Sequence, residues 1–480
     1  MNRPVFHFTP QKNWINDPNG LVYIDGVYHL FYQHYPEDIV WGPMHWGHAV
    51  SRDLLTWEHK EIALYPDELG YIFSGSCIYD RENVSGLGTE DEPPLIAFFT
   101  HHDPASGRQQ QSIAYSLDKE HFVKYENNPV IPNTETEKKD FRDPKVFFNP
   151  FRGGYTMAVA AGRRIEFYHS DNLLKWNMTG SFEPGEKGHG YSGICECPDC
   201  FEMETEEGTK WVLLVSMCLS EEDVQKAKAE GRCASAHVMQ YYIGEFDGDT
   251  FTDKICADEP LLFEYGTDNY AAVTFAGTKE RILMGWGENW NYVKELPPVK
   301  ACTYEKETQA GRKQKEKESK AYRGKMSLAR KLALVNTRFG YRLKSEPVGI
   351  KGRKCSRHID YGKECEIIFS NKCGNKFKIS IQPERIIVDR RGCGVYEAIL
   401  REEKRDKLNP HSIAGEENVS KAVEMQEYHY DILCSPRYKP DGSSMEIVYD
   451  EGYFEIFAED GLAVFSVMTY PEVNLKEQDH

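Results

Sequence analysis

The sequence predicts an all-β protein in two parts, a β-propeller followed by a β-sandwich. Three observations point there. Short runs of β-branched and aromatic residues, bounded by turn formers, recur along the whole 480-residue chain. A seven-residue motif repeats at intervals that suit four-stranded sheets set around an axis. The composition shifts near residue 303, after which alternating β runs resume.

The first part, residues 1–335, opens with LVYI (21–24), Asp25-Gly26 and VYHLFYQHY (27–35), a hairpin whose Asp-Gly supplies the positive φ angles of a tight turn. Further β runs are IEFYHS (165–170), KWVLLVSM (210–217) and RILMGW (281–286). The clearest helix signal is SEEDVQKAKAEGR (220–232), with Ser220 as N-cap, Asp223 completing a capping box and Gly231 as the stop. The repeat reads Ser51-Arg52-Asp53-Leu54-Leu55-Thr56-Trp57, then copies starting at Ser116 and Ser170, and a looser one starting at Glu245. Each copy follows a β run and places an aromatic six residues after its first position. A common turn recurring by chance is the alternative, since the spacing is irregular.

The run KETQAGRKQKEKESKAYR (306–323) has seven basic and three acidic residues and no strand pattern. It is expected to be part of a solvated loop insertion at about 303–321. MSLARKLALV (326–335) then turns apolar again. Residues 336–480 alternate in FKISIQ (377–382), MEIVYD (445–450), YFEIFAE (453–459) and AVFSVMTY (463–470), the pattern of a β-sandwich.

The net charge of −18 disfavours nucleic acid and anionic membranes, which need a basic face. No stretch of about 18 apolar residues is present, so no membrane span is expected. MNRPVFHF lacks the apolar run of a signal peptide. With an odd 13 cysteines, the expectation is reduced thiols in the cytoplasm.

Three acidic clusters could carry chemistry. WINDPNG (14–20) reads as a plain turn, but that leaves unexplained why it precedes a hairpin rich in Tyr, His and Gln. In DFRDPKV (140–146), Arg142 beside Asp143 favours an ionised carboxylate, although adjacent charges often merely sit in water. CECPDC (195–200) could hold a metal, close a disulfide or carry an acid. Cys197 and Cys200 have zinc-ligand spacing, yet Cys218, Cys233, His169 and His189 are single, so no second pair completes a site. As small buried apolar residues, Cys195 and Cys197 would surround Glu196 with poorly solvating groups, the setting of a general acid. One protonated and one ionised carboxyl is the pattern of glycoside hydrolysis. In a propeller the innermost strands converge on one funnel, where Asp17 and Glu196 could meet.

In this order, WINDPNG, FSGS (73–76), FRDPKV, ECPD (196–199) and GWGENW (285–290) resemble glycoside hydrolase family 32, the family of invertases, sucrose-6-phosphate hydrolases, inulinases and levanases. WGPMHWGHAVSRDLLTWEH (41–59) and YRGKMSLARKL (322–332) are similar to the family's text as well. The resemblance implies a five-bladed propeller and a C-terminal sandwich, and a retaining β-fructofuranosidase with no metal and no cofactor. It implies Asp17 as nucleophile, Glu196 as acid/base and Asp143 as transition-state stabiliser, with Arg142 holding that geometry. It also implies Asn16, Gln33, Trp41, Phe73, Ser74, Asp268 and Trp286 as fructose-binding groups; for the two tryptophans, core packing competes.

The implied partner is a small sugar, sucrose or a short fructo-oligosaccharide. Exo-fructanase and sucrose-6-phosphate hydrolase are the alternatives within the family, and a non-catalytic sugar-binding propeller is the reading from another class. Cys195 stands where the family commonly has an aromatic, and Gly287 where Met is frequent. These departures and the basic segment leave substrate length open. The sandwich is expected to pack against the propeller and to offer a surface for contacts in a homo-oligomer.

Overall fold

The computed structural model describes residues 3–477 apart from 135–137, 187–189, 230–234, 256, 258, 297, 301–320, 354–355, 371–375, 395–429, 440 and 471–475. The helix stop at Gly231, residues His189 and Cys233, and nearly all of the basic run fall outside the described residues.

Among the described residues, five sheets follow one another along the chain, each built on four antiparallel strands; the first is extended by Ala321–Arg323, parallel to its innermost strand, and by Val299–Lys300. Blade 1 begins with Asn13–Ile24, blade 2 with Tyr71–Tyr79, blade 3 with Phe141–Phe148, blade 4 with Gly193–Thr205 and blade 5 with Tyr270–Thr274. Each of these first strands packs against the first strand of the next blade, and the fifth packs against the first. The ring is therefore closed and the first strands are the innermost, so the fold is a five-bladed propeller. Blade 5 is completed by the hairpin Arg330–Thr337 and Gly340–Pro347. The sheet thus runs to Pro347, past residue 335, the expected end of the first part.

The repeated motif is the turn between the third and fourth strands of blades 1 to 4. In each copy the third residue accepts two backbone N–H groups: Asp53 from Leu55 and Thr56, Asp118 from Glu120 and His121, Asn172 from Leu174 and Lys175, Asp247 from Asp249 and Thr250. The residue after it has positive φ in every copy: Leu54, Lys119, Leu173 and Gly248. A short Asx side chain replaces the missing strand partner and closes the turn.

A second repeat is invisible as text. Every innermost strand carries a β-bulge at the same level, two residues facing one on the neighbouring strand. The bulged pairs are Asn16-Asp17, Phe73-Ser74, Asp143-Pro144, Cys197-Pro198 and Ala271-Ala272. A bulge re-aims its side chains and sharpens the local twist. Pro is tolerated there because no ladder N–H is needed. Asp143, Cys197 and Ala271 take positive φ of 64°, 44° and 54°. Gly75 follows the bulge of blade 2; a Cβ there would meet the Phe98 carbonyl oxygen at 1.9 Å.

The C-terminal part is a sandwich. Ser356–Tyr361, Ser443–Asp450, Tyr453–Ala458 and Ala463–Met468 form one sheet; Ile432–Pro436, Arg385–Asp389, Lys376–Ile381, Cys365–Ser370 and Lys476–Glu477 form the other. Its core is continuous with that of blades 3 and 4. Buried ion pairs tie it to the propeller. Arg330 reaches Glu264 at 2.9 Å and Glu455 at 2.6 Å, and Arg390 reaches Asp268 at 2.7 Å. His7 bridges Asp450 at 2.9 Å and Glu455 at 3.2 Å. Burying so many charges is tolerable only because each is paired and hydrogen-bonded.

Candidate active site

The five bulges point side chains into one funnel. Asp17 sits on blade 1, where Oδ1 accepts from Asn16 Nδ2 at 3.0 Å and Oδ2 from Ser74 Oγ, on blade 2, at 2.7 Å. Asn16 is itself fixed by the Trp14 indole N–H at 2.8 Å. Asp143, on blade 3, accepts the Cys197 N–H at 2.9 Å and anchors its own N–H on Thr100 Oγ1 at 3.1 Å. Glu196, on blade 4, accepts from Arg142 Nη2 at 3.0 Å and from the Tyr270 hydroxyl of blade 5. Arg142 also donates to Asp140 at 2.6 Å. The Cys197 sulfur lies 3.7 Å from Asp17 Oδ2 and 3.6 Å from Asp143 Oδ2. One thiol and one guanidinium therefore knit three acids from three blades.

Burial raises the pKa of Asp17, and the nearby Glu196 charge adds to this; the Asn16 and Ser74 donors oppose it. Burial pushes Asp143 up to about 7 despite the Arg142 guanidinium, with Asp17 and Glu196 contributing. Arg142 is held charged: burial works against it, but Glu196, Asp143 and Asp140 outweigh that. Such a site strains to hold several negative charges at once. A positive charge developing among these carboxyls would be stabilised by groups already in place.

The family model "Glycosyl hydrolases family 32 N-terminal domain" matches residues 7–347, which takes in all five blades. The chain belongs to glycosyl hydrolase family 32. It is 46% identical over 303 residues to a levanase of Bacillus subtilis (strain 168), covering 62% of this chain and 42% of that protein. It is 36% identical over 328 residues to the extracellular exo-inulinase of Aspergillus awamori, covering 62% and 59%. The crystal structure of the Aspergillus awamori exo-inulinase superposes with a TM-score of 0.77 at 25% identity, over 99% of this chain and 94% of that one. The chain thus spans about half the length of the curated relatives it matches.

Within this family 32 fold, the structure brings together Asn16, Asp17, Ser74, Arg142, Asp143 and Glu196. Gln33 is buried beside them, opposite the first bulge, and donates to Asn19 at 2.8 Å and to the Ile72 carbonyl at 3.0 Å. Trp41 is 37% exposed and meets the Phe73 ring edge-on, with 6.1 Å between centroids. Phe73 in turn stacks on His102 at 4.4 Å. Together they form an aromatic wall.

Asp268 and Trp286 are not brought to that surface. Asp268 is fully buried, its carboxyl taken up by Arg390, the Tyr292 hydroxyl and the Met468 N–H. Its place is the domain interface, because the sandwich supplies a cation that a buried carboxylate needs. Trp286 is fully buried against Trp14 and Trp290 and backs the indole that holds Asn16.

The sequence reading misplaces one site group and misses another. Cys197 faces Asp17 and Asp143, whereas Cys195 points into the core shared by blades 3 and 4. The two thiols flank Glu196 in the chain but lie on different sides of the strand. Cys200 joins the core cluster of Cys195, apart from that of Cys197, so the zinc-spaced pair is split. Tyr270 is the other. It precedes the Ala271-Ala272 bulge as Arg142 and Glu196 precede theirs, and that register equivalence is the signal that would have found it.

Proposed function

We propose that this chain is a retaining β-fructofuranosidase that removes terminal β-D-fructofuranosyl units from sucrose and short fructo-oligosaccharides. The observation carrying this reading is the contrast between the surroundings of Asp17 and Glu196. Asp17 is seated deep among neutral donors, whereas Glu196 is held from the far side of the funnel by Arg142 and Tyr270.

In the first step Asp17 attacks C2, the glycosidic C2–O bond breaks, and Glu196 passes its proton to the departing oxygen. A fructosyl ester on Asp17 results. In the second step water attacks C2, Glu196 takes the water's proton, and Asp17 leaves as carboxylate. Two inversions give retention. Asp143 stabilises the oxocarbenium charge and orients the ring hydroxyls, while Arg142, paired with Glu196 and Asp140, holds the carboxyls in that geometry. Asn16, Ser74 and Gln33 fix the nucleophile's side, and Trp41 with Phe73 offers the sugar an apolar face.

Asp17→Ala and Glu196→Ala should each lower kcat on sucrose by a factor on the order of 10³ or more while the protein stays folded. Full activity in either variant refutes the reading. NMR of the first-formed fructose should show the β-anomer.

An exo-fructanase is the second reading, favoured by the relatives described as levanase and exo-inulinase. Comparing kcat/KM for sucrose, sucrose 6-phosphate, kestose, inulin and levan decides between them. A cytoplasmic location belongs to the proposal too. Cys77, Cys195, Cys197, Cys200, Cys218, Cys365 and Cys434 carry free thiols, in keeping with a reducing compartment, while an exo-inulinase relative is described as extracellular. Cell fractionation distinguishes the two.

A further inference from the structure

The hydroxyl that Tyr270 donates to Glu196 sits at the far end of a ring, so a small tilt of that ring carries it off the carboxylate. A second ring bears on that tilt. His237, the first residue of the third strand of blade 4 (His237–Phe246), meets Tyr270 in a T-shaped contact, with 5.4 Å between centroids and 89° between planes. Perpendicular contact is a favoured aromatic geometry, so it prefers one angle between the two rings.

His237 is in turn held at its ring and at its backbone. Nδ1 donates to the Asn291 amide oxygen at 3.0 Å, in the segment that follows the second strand of blade 5. The His237 N–H donates to Ser235 Oγ at 3.1 Å, and Ser235 Oγ donates back to the His237 carbonyl at 2.9 Å. Asn289 ties the two holders together: its Nδ2 donates to Ser235 Oγ at 3.1 Å, and its Oδ1 accepts the Asn291 N–H at 2.9 Å. The same Nδ2 donates to the Thr267 carbonyl at 2.7 Å, and Thr267 Oγ1 accepts from Arg390 of the sandwich at 2.9 Å. Ser235, Asn289 and Thr267 are buried. A buried polar network whose members are partnered is stiff. His237 itself is only half-buried, so its ring could rest in water; instead it is clamped from two blades.

We infer that His237 is a positioning residue for the proposed acid/base. It acts through Tyr270, whose ring it holds at the angle that keeps the hydroxyl on Glu196. Its effect on rate rests on the hydrolytic reading, whereas the contact itself is geometry and is tested without turnover.

His237→Ala removes the ring. On sucrose it should lower kcat about fivefold, with a smaller change in KM, and no further than Tyr270→Phe does. In a Tyr270→Phe background the same substitution should change kcat by less than about twofold, because the hydroxyl it orients is gone; such non-additivity marks one residue acting through another. His237→Phe keeps a ring at the contact and should recover most of the loss. Asn291→Ala frees Nδ1 and leaves the imidazole in place. It is the second variant should His237→Ala fold poorly, and its smaller loss should vanish in the Tyr270→Phe background too. Crystals of His237→Ala should show the Tyr270 hydroxyl displaced from Glu196. Equal losses in both backgrounds, no recovery in His237→Phe, or an intact Tyr270–Glu196 bond in those crystals overturns the inference. A wild-type protein inactive on every fructoside would sink the hydrolytic reading instead, and the crystals would still decide where the hydroxyl lies.

Discussion

Ser74 Oγ donates to Asp17 Oδ2 at 2.7 Å across the seam between blades 1 and 2. The bond is possible because each residue is the second of its bulged pair, so two neighbouring strands aim equivalent positions at one point. A hydroxyl donor favours the ionised carboxylate, and it works here against a burial that raises the Asp17 pKa.

Ser74→Ala should therefore raise the Asp17 pKa further. In the proposed mechanism the nucleophile must be ionised, so kcat/KM falls as pH drops through that pKa. The acid limb of the profile should move to higher pH by about 0.7 unit, the equivalent of a hydrogen bond worth about 1 kcal/mol. A limb that stays in place, or moves down, contradicts this role for Ser74.

Tyr270 holds Glu196 from blade 5, opposite Arg142. Tyr270→Phe keeps the ring and removes the only hydroxyl. Loss of one charge-directed hydrogen bond should lower kcat about tenfold, with a smaller change in KM. Steady-state kinetics on sucrose check this; a purely structural tyrosine would change melting temperature and leave kcat alone.

What the sequence discloses follows the reach of the interactions. The Asx turns at Asp53, Asp118, Asn172 and Asp247 are legible because each is closed by backbone groups two and three residues away. The bulges depend on register between strands, and Asn16-Asp17, Phe73-Ser74 and Ala271-Ala272 share no text. Only the Asp-Pro and Cys-Pro pairs of blades 3 and 4 hint at a common geometry. The acids Asp17, Asp143 and Glu196 stand out as clusters, but not the side on which Cys197 turns, since its φ of 44° breaks strand alternation. Asp268 misleads because its partner, Arg390, lies 122 positions away in the other domain.

That pairing makes Asp268 a test of structure against resemblance. Asp268→Asn removes the negative charge from a fully buried pair and leaves Arg390 with Asp431 as its remaining carboxylate among the described residues. Breaking such a pair from one side costs about 3–5 kcal/mol. Denaturant titration should show that loss, while KM for sucrose changes by less than about threefold. A large rise in KM at unchanged stability would restore the substrate-binding role.

His7 sets a pH limit on the union of the two domains. Its ring is buried between Asp450 and Glu455, with Tyr453 edge-on at 4.9 Å and Arg330 on the far side of Glu455. Burial alone would lower its pKa, but the two carboxylates outweigh it and push the value up to about 9 from the ordinary 6.5. The folded protein thus binds a proton that the unfolded chain releases near pH 6.5. The stabilisation is complete below pH 6.5 and is lost as pH rises through about 9. Its size is on the order of 3 kcal/mol. Asp450 and Glu455 shift the opposite way, below the usual carboxylate range, as His7 and Arg330 offset their burial. Their contribution is full throughout this window and declines only in acid. Unfolding free energy should therefore fall between pH 6.5 and 9, and His7→Gln should flatten that slope while lowering stability at pH 6.5. A wild-type stability that holds level to pH 9.5, or a slope unchanged in His7→Gln, would show that His7 is not held protonated at the interface.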